Sequence, residues 1–433
     1  MAQTPHVVIV GGGFGGLNAA QALRRAPVRV TLIDRKNHHN FQPLLYQVAS
    51  AALSPADIAV PIRAILRHNR NTVVVLSEVV GFDLDARKVR LDDGAELAFD
   101  YLIVAAGARH SYFGHDAWEP LAPGLKTLED AVEIRRRILF AYELAEKRAA
   151  EGRPPAPLSF VVIGAGPTGV ELAGALVEIA RHTLSRDFRH IDPGTARVVL
   201  LEGGPRVLPA YPPDLSRSAE EQLRRLGVEV RLNAMVTVVE PGLVRAGEEE
   251  IPAAVTLWAA GVAASPLGRL LAPTDAAGRV PVEKDCSLPS HPNVFVIGDM
   301  ASLHDAGGNL LPGVAPVAIQ QGIAVAQNIL GDLRGRPRRA FLYRDKGTLA
   351  TIGRAAAVAQ IGKLKFSGLP AWLVWVFVHL LWLIGFRNKL VVMIEWMWFY
   401  LSYQRGPRLI TGDIDQWLGQ RTPQDERRTA SSL

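Results

Sequence analysis

Cysteine is almost absent: the chain has one, Cys286. A lone thiol excludes an internal disulfide, a Cys-x-x-Cys redox pair and a thiolate zinc cluster, and Cys286 itself reads as a small buried hydrophobe. There is no hydrolytic triad motif and no polar multi-span region that would form a proton channel. The first apolar strand begins within six residues, so no secretory or transit segment is expected ahead of the fold. Charge is modestly one-sided, at a net +6. The arginines are scattered, which argues against a nucleic-acid surface. Their one run (Arg334, Arg336, Arg338, Arg339) reads either as a solvated connector or as a patch drawn to anionic lipid. What remains is 48% apolar with 39 glycines and 29 prolines, the make-up of a compact α/β enzyme, and 433 residues suit two or three lobes.

The glycines carry the main signal. Two fingerprints of one type occur, Val7-Val8-Ile9-Val10-Gly11-Gly12-Gly13-Phe14-Gly15-Gly16 and Phe160-Val161-Val162-Ile163-Gly164-Ala165-Gly166-Pro167-Thr168-Gly169. Each is a β-branched run, then G-x-G-x-x-G, then an alanine-rich helical stretch. A pyrophosphate site needs that order: a buried parallel strand, a turn without Cβ atoms, and a helix N-terminus offering free N–H donors. Gly11 and Gly164 make the tight turn, Gly13 and Gly166 admit the phosphates, and Gly16 and Gly169 let helix and strand pack. Each fingerprint is followed by an acid that closes a second strand: Asp34, 23 positions after Gly11, and Glu202, 38 after Gly164. A carboxylate there accepts ribose hydroxyls, and at Glu202 it repels a 2′-phosphate, favouring NADH over NADPH. Arg206 is the residue that could instead accept that phosphate. Two such sites imply two dinucleotides in one chain, with electrons passing from one to the other.

The expected fold class is α/β, with two Rossmann-like dinucleotide-binding domains, the second inserted in the first, and a C-terminal hydrophobic helical membrane anchor. Strand 6–10, helix 17–25 and strand 28–34 open the first domain. Segments 73–80 and 88–91 look like strands of a small antiparallel piece, and 100–107 is a buried strand ending in small residues. A helix over 128–148 is broken by Gly and Pro at 152–157, which marks entry to the second lobe. There the plan repeats: strand 159–163, a long helix from Gly169, strand 197–202, helix 215–226, strand 228–232, and strand 254–261 as the counterpart of 100–107. Strand 293–299 returns to the first lobe and ends in Asp299, ahead of a helix starting near Pro316.

From 371 to 403 the character changes. Residues 371–386 are almost wholly apolar and 390–403 are apolar apart from Glu395 and Ser402, with five of the eight tryptophans here (Trp372, Trp375, Trp382, Trp396, Trp398). A 16-residue helix spans about 24 Å, short of the ~30 Å hydrocarbon thickness. Arg387 and Lys389 interrupt the segments, and aromatic rings favour the headgroup level. The reading is a helical hairpin lying in one leaflet as a monotopic anchor. The alternative is a buried hairpin or a homodimer interface. So many exposed tryptophans would be a solubility liability without lipid or a partner.

Single residues leave choices open. Asp299 is placed either to hold a ribitol hydroxyl of a flavin or to cap a helix. Glu171, in the first turn of the second helix, either complements the helix dipole or faces the flavin and handles protons. His38 and His39 lie in a loop and are read as solvated rather than as metal ligands; no metal site is expected.

With these residues in place, the chain resembles the two-dinucleotide flavoprotein reductases, and among them the type II NADH:quinone oxidoreductases, over about residues 5–412. The most telling runs are 34–49 (Asp34-Arg35-Lys36-Asn37-His38-His39-Asn40-Phe41-Gln42-Pro43-Leu44-Leu45-Tyr46-Gln47-Val48-Ala49), 256–262, 343–354 and 378–389. The resemblance implies noncovalent FAD in the first lobe, touched by Gly11, Gly12, Gly13, Phe14, Gly15, Gly16, Asp34, Val80, Ala106, Gly107, Asp299 and Ala315. It implies NADH in the second, on Gly164, Gly166, Thr168, Gly169, Glu202 and Gly261. Catalytic roles fall to Glu171 and Gln320. Where the family carries an Ala-Gln-x-Ala-x-x-Gln-like segment, this chain reads Ala315-Pro316-Val317-Ala318-Ile319-Gln320-Gln321, so a proline replaces the first glutamine. The domains implied are 1–125 and 291–340 for FAD, 126–290 for NADH, 341–422 for membrane anchoring and quinone access, and a disordered tail at 423–433. Ubiquinone or menaquinone would enter through the C-terminal part, and the protein would sit on the cytoplasmic face of the inner membrane. NADH would pass a hydride to the flavin, which would hand two electrons to the quinone. Thiol-disulfide and sulfide-oxidising relatives are disfavoured because the cysteine pair is missing. The rivals are a soluble NADH-dependent reductase of a protein carrier or dioxygen and a membrane-bound NADH-sensing flavoprotein.

Overall fold

An apolar β-branched run with no polar interruption has nothing to offer water on either face, and such strands belong inside parallel sheets. Strand His6–Val10 is accordingly buried at every position, as is Ser159–Ile163. These two strands lie in the sheets of two compact units. The computed structural model describes residues 4–402 and 408–411; the expected tail 423–433 lies outside the described residues. The first unit comprises Met1–Asn40, Ala59–His110 and Val262–Lys346, and the second Phe41–Ile58, Ser111–Gly261 and Gly347–Leu433.

In the first unit a five-stranded parallel sheet runs Val294–Val296, Tyr101–Val104, His6–Val10, Arg29–Asp34, Thr72–Leu76. Helices Phe14–Ala22 and Ala315–Asp332 approach so closely that a Cβ on Gly322 would lie 2.3 Å from the Gly15 carbonyl oxygen. Segment 73–80 is not one antiparallel strand. Thr72–Leu76 extends the parallel sheet, and Val79–Asp83 starts a separate antiparallel sheet with Lys88–Leu91 and Glu96–Ala98. The break between them is fixed by Asp92, whose Oδ1 accepts from the Ser77 hydroxyl at 2.5 Å and the Glu78 N–H at 3.2 Å.

The chain changes units at 110/111 and 261/262, earlier than the boundaries of 125/126 and 290/291 read from the sequence. Local pairing explains this. Ala108–His110 pairs antiparallel with Val262–Ala264, Val280–Pro281 pairs with Ala301–Ser302, and Leu271, Val280 and Leu288 join the same apolar cluster as Val104 and Val296. The arginine run is not a uniform solvated stretch either. Arg338 is held by Asp332, Asp285 and the Pro292 carbonyl and lies 4.9 Å from the Phe295 ring centroid, tying its loop to the strand.

The second unit repeats the parallel plan with Glu229–Arg231, Arg197–Leu201, Ser159–Ile163 and Val255–Trp258. Helix Leu128–Ala150 starts at a capping box formed by Thr127 and Asp130. Helix Pro213–Leu226 stops at Gly227, in the left-handed region at φ 101°. The sequence reading did not anticipate the antiparallel sheet Thr348–Gly353, Ala356–Ile361, Leu364–Ser367. This sheet abuts helix Pro167–Glu178 so tightly that a Cβ on Gly174 would lie 1.6 Å from the Ile352 carbonyl oxygen.

The sheet also carries the C-terminal helices Leu369–Trp382 and Phe386–Ser402, with Ala371 buried against Ala357 and Ala359. The expected hairpin forms, but its tryptophans are not uniformly exposed. Trp375 and Trp396 are buried and Trp372 is partly so, while Trp382 and Trp398 face outward. The inward rings pack on Tyr46 and on each other, and the Asn388 amide donates to the carbonyls of Ala56 and Asp57. Among the described residues, no helix is long and apolar enough to cross a membrane.

Candidate functional site

The two glycine turns have the same geometry. In the first, the Gly11 N–H donates to the Ile33 carbonyl at 2.8 Å; in the second, Gly164 donates to Leu201 at 2.7 Å. A Cβ on Gly11 would lie 2.4 Å from the Ala105 carbonyl oxygen, and one on Gly164 would lie 2.4 Å from the Ala260 Cα. Gly16 and Gly169 would each drive a Cβ to within 2 Å of a carbonyl of their own turn, at 1.9 and 1.8 Å. At Gly13 and Gly166, by contrast, a Cβ would meet nothing within 4 Å. These two residues are the N-caps of their helices, with no side chain closing the helix end. No side chain satisfies the first-turn N–H groups, and there is space beside each N-cap, which suits a pyrophosphate.

The acids match as well. Asp34 accepts the Gly12 N–H at 2.6 Å and the Lys36 N–H at 2.7 Å. Glu202 accepts the Ala165 N–H at 2.7 Å and the Gly204 N–H at 2.8 Å. Each carboxylate bridges the turn and the chain two residues beyond itself, and each has lone pairs left for hydroxyls. The Arg206 guanidinium points elsewhere, donating to the carbonyls of Tyr211 at 3.2 Å and Pro209 at 2.6 Å. Phe14 opens the first helix and stands edge-on to the His39 ring at 4.9 Å. His39 is not the solvated loop residue expected. It is buried in strand His38–Asn40, with Nδ1 at 3.1 Å from the Gly12 carbonyl, and Nε2 has no hydrogen-bond partner among the described residues. Burial holds its pKa below the ordinary imidazole value, so the ring is neutral.

Elsewhere in the first unit, Ala106 and Gly107 follow strand Tyr101–Val104, and the Ala106 N–H meets the Met300 sulfur at 3.2 Å. Asp299 lies in the single turn Gly298–Met300 and so does not cap a long helix. The turn is set by Gln321, the last glutamine of the 315–321 segment, where Gln320 was the one given a role: its buried Oε1 accepts the Gly298 N–H at 2.7 Å. Ala315 and Pro316 open helix Ala315–Asp332, where a proline costs no hydrogen bond because its N–H would have no helical partner. Gln320 clamps the backbone of Arg344, its Nε2 and Oε1 each bonded at 3.0 Å. Val80 is exposed on the antiparallel strand Val79–Asp83.

In the second unit Thr168 lies in the first turn of helix Pro167–Glu178, but Glu171 lies beyond that turn, which removes its reading as a dipole-complementing acid. It lines a narrow cleft with Tyr46, Gln47, Thr351, Trp372, Trp375 and Trp396. Burial raises the Glu171 pKa well above the usual carboxylate value and so favours the protonated form, opposed by a hydrogen bond from the Thr351 N–H. Opposite chemistry comes from two tryptophans: Trp396 Nε1 donates to Gln47 Oε1 at 2.7 Å, while the buried Trp375 Nε1 has no acceptor among the described residues. Gly261 faces the Phe113 ring, which a Cβ would approach to 2.5 Å. Cys286 is buried, its thiol pushed up to about 12 by burial, and is chemically inert.

The pattern of the pyridine nucleotide-disulphide oxidoreductases matches residues 5–322, and that of the NDH2 C-terminal domain matches 346–403. The chain is 47% identical over 429 residues to the type II NADH:quinone oxidoreductase Ndh of Mycobacterium tuberculosis, covering 95% of this chain and 92% of that one. It is 29% identical over 398 residues to the type II NADH:quinone oxidoreductase of Haemophilus influenzae, covering 84% and 88%. Among solved structures, NDH2 from Plasmodium falciparum in complex with NADH shares the fold at a TM-score of 0.83 and 19% identity, over 94% of this chain and 100% of that one. The chain belongs to the pyridine nucleotide-disulphide oxidoreductase family and, within it, to the type II NADH:quinone oxidoreductases.

Proposed function

We propose that the protein is an FAD-dependent NADH:quinone oxidoreductase that holds FAD on the first glycine turn and NADH on the second. The observation that carries this reading is the doubled cradle, in which two uncapped helix N-termini each stand beside an acid that bridges the turn. FAD, when bound, supplies the redox chemistry, taking a hydride equivalent from NADH and giving two electrons to quinone without proton pumping.

The chain's own residues bind, orient and hold protons. Asp34 and Glu202 receive ribose hydroxyls, and the first-turn N–H groups, those of Phe14 and Gly15 in the first unit and of Thr168 and Gly169 beyond Pro167 in the second, receive the pyrophosphates. Phe14, Val80, Ala106, Gly107, Asp299 and Ala315 complete the FAD set, with Gln321 fixing the turn that presents Asp299. Thr168 and Gly261 complete the NADH set. Glu202 rejects a 2′-phosphate, and the Arg206 guanidinium is committed to carbonyls at 209 and 211.

Quinone enters the cleft lined by Glu171 and the tryptophans. Its apolar ring suits the indoles, and its carbonyls suit the Trp375 Nε1–H, which has no acceptor among the described residues, and the Glu171 carboxyl, whose protonated form burial favours. Gln320 acts by holding the 344 backbone in place. The outward stripe Leu369, Leu373, Phe377 and Leu381, with Met393, Met397 and Trp398, rests on lipid at the cytoplasmic face as a peripheral attachment.

The test is to purify the protein from membranes, record its absorption near the flavin bands, and assay NADH against NADPH with a short-chain quinone. A yellow protein that oxidises NADH at least tenfold more efficiently than NADPH is expected. A colourless protein that takes up no added FAD would overturn the proposal.

A further inference from the structure

One apolar side chain in the second unit is exposed where the fold gives no reason for it. Met235 is 66% exposed, yet its thioether is not loose: a Cβ built on Gly203 would lie 2.8 Å from its Cε and 3.4 Å from its sulfur. Gly203 is the residue directly after Glu202. The backbone fixes this neighbourhood, because the Ala234 N–H donates to the Glu202 carbonyl at 2.8 Å and the Asn233 N–H donates to the Gly204 carbonyl at 2.9 Å. Residues 233–235 therefore run beside 202–204, just outside the carboxylate assigned to the ribose. The Arg206 guanidinium, turned back onto its own loop, does not cover the spot.

We infer that Met235, lying across the bare backbone of Gly203, is the shelf on which the adenine ring of NADH rests. The inference depends on the reading of this unit as the NADH site and adds a specificity residue to it. A ribose held at Glu202 must direct its base outward past that residue, and the base then meets backbone without a Cβ and a polarizable thioether. Sulfur–aromatic contact favours that arrangement. A side chain at 203 would displace the end of the Met235 side chain from this position.

The test uses the full-length protein and two truncated ligands. ADP-ribose carries the adenosine half without redox chemistry, and its binding is read by calorimetry. Reduced nicotinamide mononucleotide carries the redox half without adenosine. Met235→Ala should weaken ADP-ribose binding about three- to tenfold and raise the KM for NADH by the same factor at unchanged kcat. Met235→Leu, which keeps the apolar body, should stay within about twofold of the parent, and the KM for reduced nicotinamide mononucleotide should not change in either variant. Because Met235 is exposed, thermal unfolding should be unaffected. Unaltered ADP-ribose binding in Met235→Ala overturns the inference, as does an equal loss with both nicotinamide substrates. If the parent protein itself neither binds ADP-ribose nor oxidises NADH, the nucleotide assignment of the whole unit falls, and the shelf with it.

Discussion

At the scale of single residues, each acid is assigned two jobs. Asp34 is the partner of two backbone N–H groups and the proposed acceptor of a ribose hydroxyl, so Asp34→Ala strips those donors as well as the proposed ligand contact. Each orphaned donor costs on the order of 1–3 kcal/mol. The purified variant should lose most of its flavin, read as the ratio of flavin to protein absorbance, and Asp34→Asn should lose less. Glu171 gives a pH signature. Its folded-state pKa is raised by burial while its unfolded value is ordinary, so the folded state binds the extra proton between the two. Its stabilising contribution is complete below the unfolded pKa of about 4.5 and is lost as pH rises through the folded value. Thermal midpoints of the parent should fall across that window, and Glu171→Gln should flatten the fall; parallel curves would show that the carboxyl does not titrate as described. The glycine turns and the acids that bridge them were legible because turn geometry dictates glycine at fixed positions and each acid closes the neighbouring parallel strand, although 23 residues separate Asp34 from its turn and 38 separate Glu202. His39 was not, since a buried imidazole looks like any polar residue until the chain folds over it, whereas Gln321 stands at the last glutamine of the 315–321 segment and was overlooked in favour of its neighbour Gln320.

At the scale of elements, periodicity exposed the parallel strands and the long helices, whose apolar runs have a single use. It failed where a segment's role is set by what lies beside it. The strand Thr72–Leu76 was joined to the following one because the break at Ser77 rests on a carboxylate 15 residues away. The sheet Thr348–Ser367 was missed because its strands are short, alanine-rich in the centre, and pair only with one another. The C-terminal hairpin was found, but its inward face was not. Trp396 shows what that face does: its indole N–H satisfies Gln47, which in turn donates to the Tyr46 hydroxyl at 2.8 Å. Trp396→Phe keeps the ring and removes the donor, leaving a buried amide oxygen unpaired, and should lower stability by about 1–3 kcal/mol in urea unfolding. A loss below the error of the measurement would show that the bond is not needed.

At the scale of the whole molecule, the packed hairpin changes how membrane attachment should be tested. Deleting 371–403 would remove Ala371, Trp375 and Trp396 from the interior as well as the outward stripe, so lost activity would carry no meaning. Replacing Leu373, Phe377 and Leu381 together by serine alters only exposed positions at one helical spacing. Co-sedimentation with anionic vesicles should fall at least about tenfold. Turnover with a long-chain quinone in those vesicles should fall with it, while turnover with a water-soluble quinone should hold. Unchanged sedimentation would assign the stripe to something other than lipid. The twinned carboxylate bridges also bear on the life of the protein between ligands. Because Asp34 and Glu202 already brace their turns from within the polypeptide, each socket keeps its shape when vacated. Stripped protein should therefore regain its colour on simple mixing with FAD, as a reusable shell rather than a collapsed one.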